Sequence, residues 1–495
     1  MDLDVEANAP PAAPGGSRRH PRAVDIGKAD TEVTRRLCCA AQSDLMFAQR
    51  LFDHVIRQPR LGVSVSPGVD LPAVLKHACA GRRRRAVRDC LLTAAELLAL
   101  AAVLVSIMLA VLTLSFDPLR LVPWALGLLL VGTTLVKSLS ELAYNRVITR
   151  TLHPDRFDPR AAPAPVKRLL RARIDEIAAL ARGNVSIYSG FKPFSGYGKV
   201  IGGWSFAIDV DKPRHEGGTT LPFEVHDIRS HVTAQVEALE WIGLEVEDRV
   251  FVSGRDVHGD HDFVDAAGRP RAEVDGARFD RLLGERDGRA RPYTVIRLVG
   301  WDGELALTIF LRFVIVKRNL FIEASHSILT PLQEKFDVYD KIRPISSPWD
   351  FVRLAARGVG MFGDVMSAFS HRAEHACDRR ALGEAPVMPY RRNFDHGASY
   401  SVREAASDKR YHRYFQKLDS EMYTKVVEQR IFDALVQFLD GHEVDTGELI
   451  KRQTTILNHG VLVTGGGSIQ AQSVAAGSGA QASSFQYAPG GDGRR

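Results

Sequence analysis

His371, Glu374 and His375 stand in the order His-x-x-Glu-His. On a helix the two histidines share a face, as two imidazole ligands of zinc must, and the glutamate could activate a bound water. A third ligand would come from downstream, from Glu443 or Glu448. Metal ligands would then be His371, His375 and Glu448, with Glu374 as the catalytic base and zinc as the cofactor. Two facts weigh against this. Three fixed residues make a short pattern that arises by chance, and Arg372, Arg379 and Arg380 crowd the same stretch with positive charge.

Other chemistry-bearing clusters are weaker still. His258-Gly259-Asp260-His261-Asp262 lacks the order of a metallo-β-lactamase site and reads as a polar loop between strands. Gly196-Tyr197-Gly198-Lys199 has glycines and a lysine as a phosphate loop does. Val200, however, stands where Ser or Thr would hold magnesium, and Ile201 breaks GxGxxG. No GxSxG is present, and Ser325-His326-Ser327 has no triad context. The sequence therefore leans away from an enzyme.

The elements that would position these residues begin with a hairpin. Two apolar runs, Leu91–Phe116 and Leu121–Val136, flank the short polar stretch Asp117–Arg120. A helix crosses a bilayer with about 20 apolar residues. The first run reaches that length, and the second does so if Lys137 snorkels and the helix continues toward Tyr144. Arg82–Arg85 and Arg88 precede the first run, and Lys137, Arg146 and Arg150 follow the second. Basic flanks outside a tiny loop predict both termini in the cytoplasm of a bacterial cell, with the hairpin in the inner membrane. No polar ladder runs along either span, so the hairpin reads as an anchor. Glu96 is the one acidic residue within the two apolar runs; intramembrane charge is a default pointer to function, and a residue one turn into the span can also reach the headgroup region.

Composition agrees with a soluble mass on a small anchor. The 495 residues are 45% hydrophobic and 25% charged, with a net charge of +6 and a mean hydropathy of -0.10. The positive-inside rule accounts for the basic excess, which argues against nucleic acid as a partner. The five cysteines, Cys38, Cys39, Cys79, Cys90 and Cys377, form no CxxC and read as reduced, mostly buried thiols. Cys90, at the membrane edge, is placed where palmitoylation occurs.

The remaining chain predicts an α+β fold. Thr31–Arg88 reads as a small helical module, with an apolar stripe on Leu37, Ala40, Leu45, Phe47, Leu51 and Val55 and a second short helix over Leu71–Ala80. Strands are expected at Asn184–Tyr188, Trp204–Val210 and Leu244–Ser253, with amphipathic helix over Phe223–Trp241 between them. Tyr293–Val299, Glu304–Val316 and Leu320–His326 read as an antiparallel meander. Its first turn is Trp301-Asp302-Gly303, and its middle strand is apolar on both faces. Helix follows from Ser347, with a stripe on Val352, Ala355, Val359, Phe362, Met366 and Phe369. The longest helix is expected over Val402–Leu439, facing its partner with Tyr411, Phe415, Leu418, Met422, Val426, Leu435 and Phe438. A last helix is expected at about Asp445–Leu457.

From Gly460 the composition turns to Gly, Ser, Ala and Gln, and Met1–Arg22 is polar and rich in Pro, Ala and Gly. Both ends read as disordered tails. The C-terminal tail alternates small, β-prone and amide residues, and resembles the short amyloid-signalling motifs at the ends of some bacterial immune-type proteins. That resemblance implies assembly by templating a partner of similar sequence. The chain as a whole resembles a group of uncharacterised two-span membrane proteins of high-G+C bacteria. The segments VDLPAVLKHACAGRRRR, GGWSFAIDV and RQTTILNHGVLVTGG carry the likeness. It implies a topology and a domain plan, and no activity.

The plan is a tail over 1–30, a helical cytoplasmic module over 31–90, a transmembrane helical hairpin over 91–144 and a linker over 145–165. A cytoplasmic α+β domain with an antiparallel sheet spans 166–345, long helices pack on it over 346–458, and a flexible tail covers 459–495. The expected function is a membrane-tethered interaction or signalling protein that works as an oligomer. Its expected partners are the bilayer, further copies of itself and a protein docking on the C-terminal tail. A membrane-acting effector of a bacterial defence-type system, triggered by tail assembly, is the second reading. A zinc-dependent hydrolase on the His-x-x-Glu-His helix is the third.

Overall fold

The computed structural model of the chain describes residues 28–285, 288–345 and 394–458, with Ser347 and Trp349. His371, Glu374 and His375, the helix expected after Ser347, Cys377 and both tails lie outside the described residues.

The meander predicted from alternating apolar residues is the centre of a six-stranded sheet of order β1-β3-β4-β5-β6-β2. The strands are β1 (Val185–Tyr188), β2 (Lys199–Asp209), β3 (Leu244–Ser253), β4 (Ala290–Gly300), β5 (Leu305–Val316) and β6 (Asn319–Leu329). β1 runs parallel to β3, and every other pairing is antiparallel. β5 is buried from Leu305 to Val314 because strands flank it on both sides and protein covers both its faces. The β4–β5 turn needs left-handed backbone at Trp301, Asp302 and Gly303 (φ 55°, 53° and 85°), and Asp and Gly tolerate it best.

Two helices, α6 (Val225–Glu237) and α9 (Tyr414–Gly441), cover one face of the sheet, and the short α7 (Gly276–Gly284) packs beside β4. There Phe206, Ile296, Ile309, Leu311 and Ile322 pack against Ile228, Val232, Ile431, Phe432 and Leu435. On the other face Phe194, Tyr197, Phe251, Tyr293 and Phe310 form an aromatic cluster that also includes Val65 from the N-terminal part of the chain.

A second core joins segments far apart in sequence. It contains α1 (Lys28–Ser43), α2 (Leu45–Leu51), the start of α3 (Leu71–Thr113), α5 (Arg168–Arg182) and the short α8 (Val402–Ala406), together with Leu332 and Phe336. Cys38, Cys39 and Cys79 are buried in it, and burial pushes the Cys39 thiol up to about 12. Arg403 of α8 is completely buried. It donates to the carbonyls of Gly303 (3.2 Å), Glu304 (2.9 Å) and Thr330 (3.0 Å), and so ties this core to the end of the β4–β5 hairpin.

The helices depart from expectation in three ways. The short helix expected at Leu71–Ala80 and the first apolar run are one helix, α3, 43 residues long and the longest described. Nothing in Gly81–Asp89 breaks it. Asp70 caps its start through the Ala73 N–H, and Pro72 fits its first turn. Gly81 lets α3 lie against α1, since a Cβ there would come within 3.0 Å of the Ala41 carbonyl and Gln42. The helix expected over Val402–Leu439 is instead divided into α8 and α9. The chain between them is drawn to the end of β6 by a bridge from Ser407 to Leu332 and by Asp408 N–H to the Pro331 carbonyl (2.7 Å). Finally, α9 buries Val427, Ile431, Phe432, Ala434 and Leu435, while Phe415, Leu418 and Met422 are exposed. The last helix is α10 (Gly447–Asn458).

α3 and α4 (Leu121–Arg146) form an antiparallel pair, and both are long and apolar enough to cross a membrane. Only 11% of the most apolar stretch of α3, and none of that of α4, is buried against protein. Glu96 of α3 lies in electrostatic reach of Lys137, which follows the apolar run of α4.

Candidate functional site

Period-two alternation sends neighbouring residues of a strand to opposite faces, and β6 shows the effect. His326 points to the helix-covered face, while Ser325 and Ser327 point to the other, which dissolves the Ser-His-Ser run as a catalytic unit. His326 is 5% exposed and lies opposite Gly202 of β2. Above it α9 presents Glu428, 6% exposed, in the row that also buries Ile431, Phe432 and Leu435. Trp204 of β2 donates its Nε1–H to Glu428 Oε1 at 2.9 Å, and its ring lies 4.9 Å from that of Phe432. His326 Nε2 is 3.3 Å from the same carboxylate oxygen, without hydrogen-bond alignment.

Burial disfavours charge on both groups. It pushes the Glu428 carboxyl up to about 7 and the His326 imidazole down to about 4. The uncharged pair is therefore the form that this apolar setting favours, and Glu428 changes state close to neutral pH. Aromatic rings wall the pair in. It can act as a proton-sensitive link between sheet and helix.

The opposite face carries charge. Glu245, Glu247 and Arg249 on β3 stand beside Arg297 on β4, with Arg297 bonded to Glu245 and Arg249 Nε 3.2 Å from Glu247. Arg312 and Glu323 pair across β5 and β6 at 3.7 Å, and Glu323 also accepts from the Tyr293 hydroxyl. Each of these three arginines has a carboxylate partner, so the ladder satisfies itself. The neighbouring arginines hold Glu247 below the ordinary carboxylate range despite its burial. Thr308 and Ser327 sit opposite each other on this face, with buried hydroxyls that make no hydrogen bond among the described residues.

The residues singled out from sequence are dispersed. Glu448 is on exposed α10 and pairs with Arg452. Glu443 occupies a left-handed turn (φ 57°), and its carbonyl accepts from Arg214 N–H at 2.9 Å. His258 is bonded to the Phe394 carbonyl (2.8 Å) and packs on His396, while Asp262 pairs with Arg278 at 2.8 Å. Among the described residues no three His, Cys, Asp or Glu side chains gather as metal ligands would. Gly196 and Gly198 serve close packing. Both have positive φ (100° and 90°), and a Cβ would stand 2.1 Å from the Val65 carbonyl and 2.2 Å from the Ile328 carbonyl.

The His326–Glu428–Trp204 grouping was not singled out in advance. Its available signals were a histidine at an inward strand position and a glutamate in the buried row of a helix. Neither shows its partner, because 102 positions separate His326 from Glu428.

The chain belongs to the AbeC-like domain family, whose match covers residues 203–470, more than half of its length. Trp204, His326 and Glu428 all fall inside that span, and α1 to α5 lie outside it. No curated protein and no solved structure matches the chain.

Proposed function

We propose that this member of the AbeC-like family is a membrane-tethered cytoplasmic signalling protein of the bacterial abortive-infection type. In this reading α3 and α4 anchor it in the inner membrane with both termini in the cytoplasm, and its copies assemble to act. The observation that carries the reading is the continuity of α3. One face of its first turns, Leu71, Val74, Leu75 and Ala78, is locked in the protein core. Further along the same helix Leu97, Leu98, Leu104, Val111 and Leu112 are exposed at 57% or more, and water is a poor neighbour for them. A 43-residue helix is about 65 Å long, enough for a bilayer core of about 30 Å and a comparable length outside it.

The family assignment supports a defence role, since its name points to abortive infection. The arginines before α3's apolar stretch support the orientation. Among the described residues the body contributes paired charge ladders and a buried His326–Glu428 contact between sheet and helix, which support conformational signalling. The C-terminal segment from Gly460 is the proposed contact for a partner or a further copy.

Expression of the full chain and of a variant lacking 91–144 in a bacterial host tests this. The full chain should remain with membranes through alkaline extraction and slow growth on overexpression or phage challenge. The shortened chain should be soluble, folded by circular dichroism and inert. A full chain that is released by alkali, or a growth effect that survives loss of the hairpin, would overturn the proposal. Removal of 460–495 should abolish the growth effect if tail assembly is the trigger.

A further inference from the structure

Where α3 leaves the core and α4 returns to it, the two helices enclose a cleft of about 390 Å³. Its floor and walls are mostly apolar: Val87 and Leu91 from α3, Val136, Leu139 and Ala143 from α4. Arg83, Arg84, Arg88 and Ser140 also line it. Positions 83, 84, 87, 88 and 91 form one stripe of a helix, and 136, 139, 140 and 143 form the facing stripe.

The four-arginine run divides its labour by direction. Arg82 is buried with its guanidinium 4.3 Å from the Phe52 ring. Arg85 donates to the Gln42 carbonyl at 2.9 Å. Arg84 donates to the same residue (2.9 and 2.8 Å) while its guanidinium lies over Tyr144. Arg88 pairs with Asp89 at 2.8 Å. Arg83 is exposed, reaches the cleft and makes no ion pair among the described residues. The cleft therefore joins an apolar wall to a basic rim on which Arg88 is shared with Asp89 and Arg83 has no carboxylate partner among the described residues.

We propose that this cleft binds one anionic phospholipid of the cytoplasmic leaflet, its phosphate on Arg83 and one acyl chain between Leu91 and Leu139. The inference rests on the membrane anchoring proposed above. Depth supports it. From Arg83 to Leu91 the helix rises about 12 Å, which carries the chain through a headgroup layer of about 5–8 Å into hydrocarbon. Charge and apolar wall thus meet where a lipid's own phosphate meets its chains. A free phosphate would gain nothing from Leu91, Val136 and Leu139.

The test is native mass spectrometry and co-flotation of the full-length protein with two kinds of vesicle. One contains phosphatidylcholine alone and the other adds phosphatidylglycerol. Wild type should float with both and retain one phosphatidylglycerol through detergent exchange, undisplaced by inorganic phosphate. Arg83→Gln should weaken retention about fivefold, the factor that ~1 kcal/mol per basic residue near an anionic leaflet corresponds to. Arg146→Gln removes an exposed arginine one turn beyond the cleft and should leave retention unchanged. Leu139→Trp fills the cleft and should abolish retention while flotation persists. Equal effects of Arg83→Gln and Arg146→Gln would reduce the site to a general surface field and overturn it. Displacement by inorganic phosphate would assign the rim to a soluble anion and overturn it too. Failure to float with either vesicle would instead remove the membrane reading itself.

Discussion

β5 and the apolar stretch of α3 are both overwhelmingly apolar and have opposite surroundings. β5 reads Leu-Ala-Leu-Thr-Ile-Phe-Leu-Arg-Phe-Val-Ile-Val and is buried by protein on both faces. α3 carries Leu97, Leu98, Leu104 and Leu112 into the open. The difference lies in hydrogen bonding and length. A strand leaves its backbone groups to neighbours and must sit inside a sheet, whereas a helix satisfies its own and can stand alone in hydrocarbon. Apolar content says that a segment avoids water. Period and length say what replaces the water.

Charge should separate the two regions most sharply. Ile309→Asp puts a carboxylate into the centre of β5 and should cost more than about 4 kcal/mol, abolishing the cooperative unfolding transition of the body. Leu104→Asp should leave that transition intact in detergent and impair insertion by about 3 kcal/mol in a translocation assay. If Leu104→Asp unfolds the body as Ile309→Asp does, the apolar stretch of α3 belongs to the protein core and the contrast fails.

A smaller loss is expected where the two cores meet. Arg403→Met keeps the volume and orphans the carbonyls of Gly303, Glu304 and Thr330. It should cost about 3 kcal/mol by denaturant unfolding. Arg413→Met, which removes only a guanidinium 5.5 Å from the exposed edge of Trp301, should cost under about 1 kcal/mol.

An effect smaller than the loss of Arg403 is one of pH. Glu428 is raised to about 7 when folded, so the stability it contributes is full below its unfolded value and fades as pH rises through 7. His326 is lowered to about 4, so its contribution is full above its unfolded value and fades as pH falls toward 4. The contact between β6 and α9 should thus be firmest at mildly acidic pH. Glu428→Gln keeps an acceptor for Trp204 and should flatten the alkaline side by about 1–2 kcal/mol between about pH 5 and pH 8. An unchanged pH profile would show that the link carries no proton.

Much of the sheet was legible in sequence because its signals are local. The Trp301-Asp302-Gly303 turn and the two-faced apolar pattern of Leu305–Val316 place β4, β5 and β6 correctly. Trp204 was already in a strand, although β2 begins five residues earlier, at Lys199. The break before α9 was not legible, because contacts with Pro331 and Leu332, far away in the chain, impose it. The expected face of α9 holds at Leu435 and Phe438 and fails in the first half of the helix. There Gln416 and Ser420 turn inward, bonded to Glu304 and Tyr411, and leave Phe415, Leu418 and Met422 exposed. The His326–Glu428 pair was invisible, since neither residue's neighbours in sequence mark it as paired.

α3 also fixes an angle. Each residue of a helix turns the next by about 100°, so the core-facing stripe of Leu71 and Leu75 and the cleft-facing stripe of Arg83 and Leu91 are locked in azimuth like marks on one shaft. A twist of the helical core would reach the bilayer as rotation, with no hinge to absorb it. Adding one residue within Ala86–Asp89 would swing the membrane portion by more than a quarter-turn, while adding seven would bring it almost back into phase. Arg82, Arg84 and Arg85, held by Phe52 and Gln42, key the shaft to the core at the water's edge, so that core and membrane portion turn together.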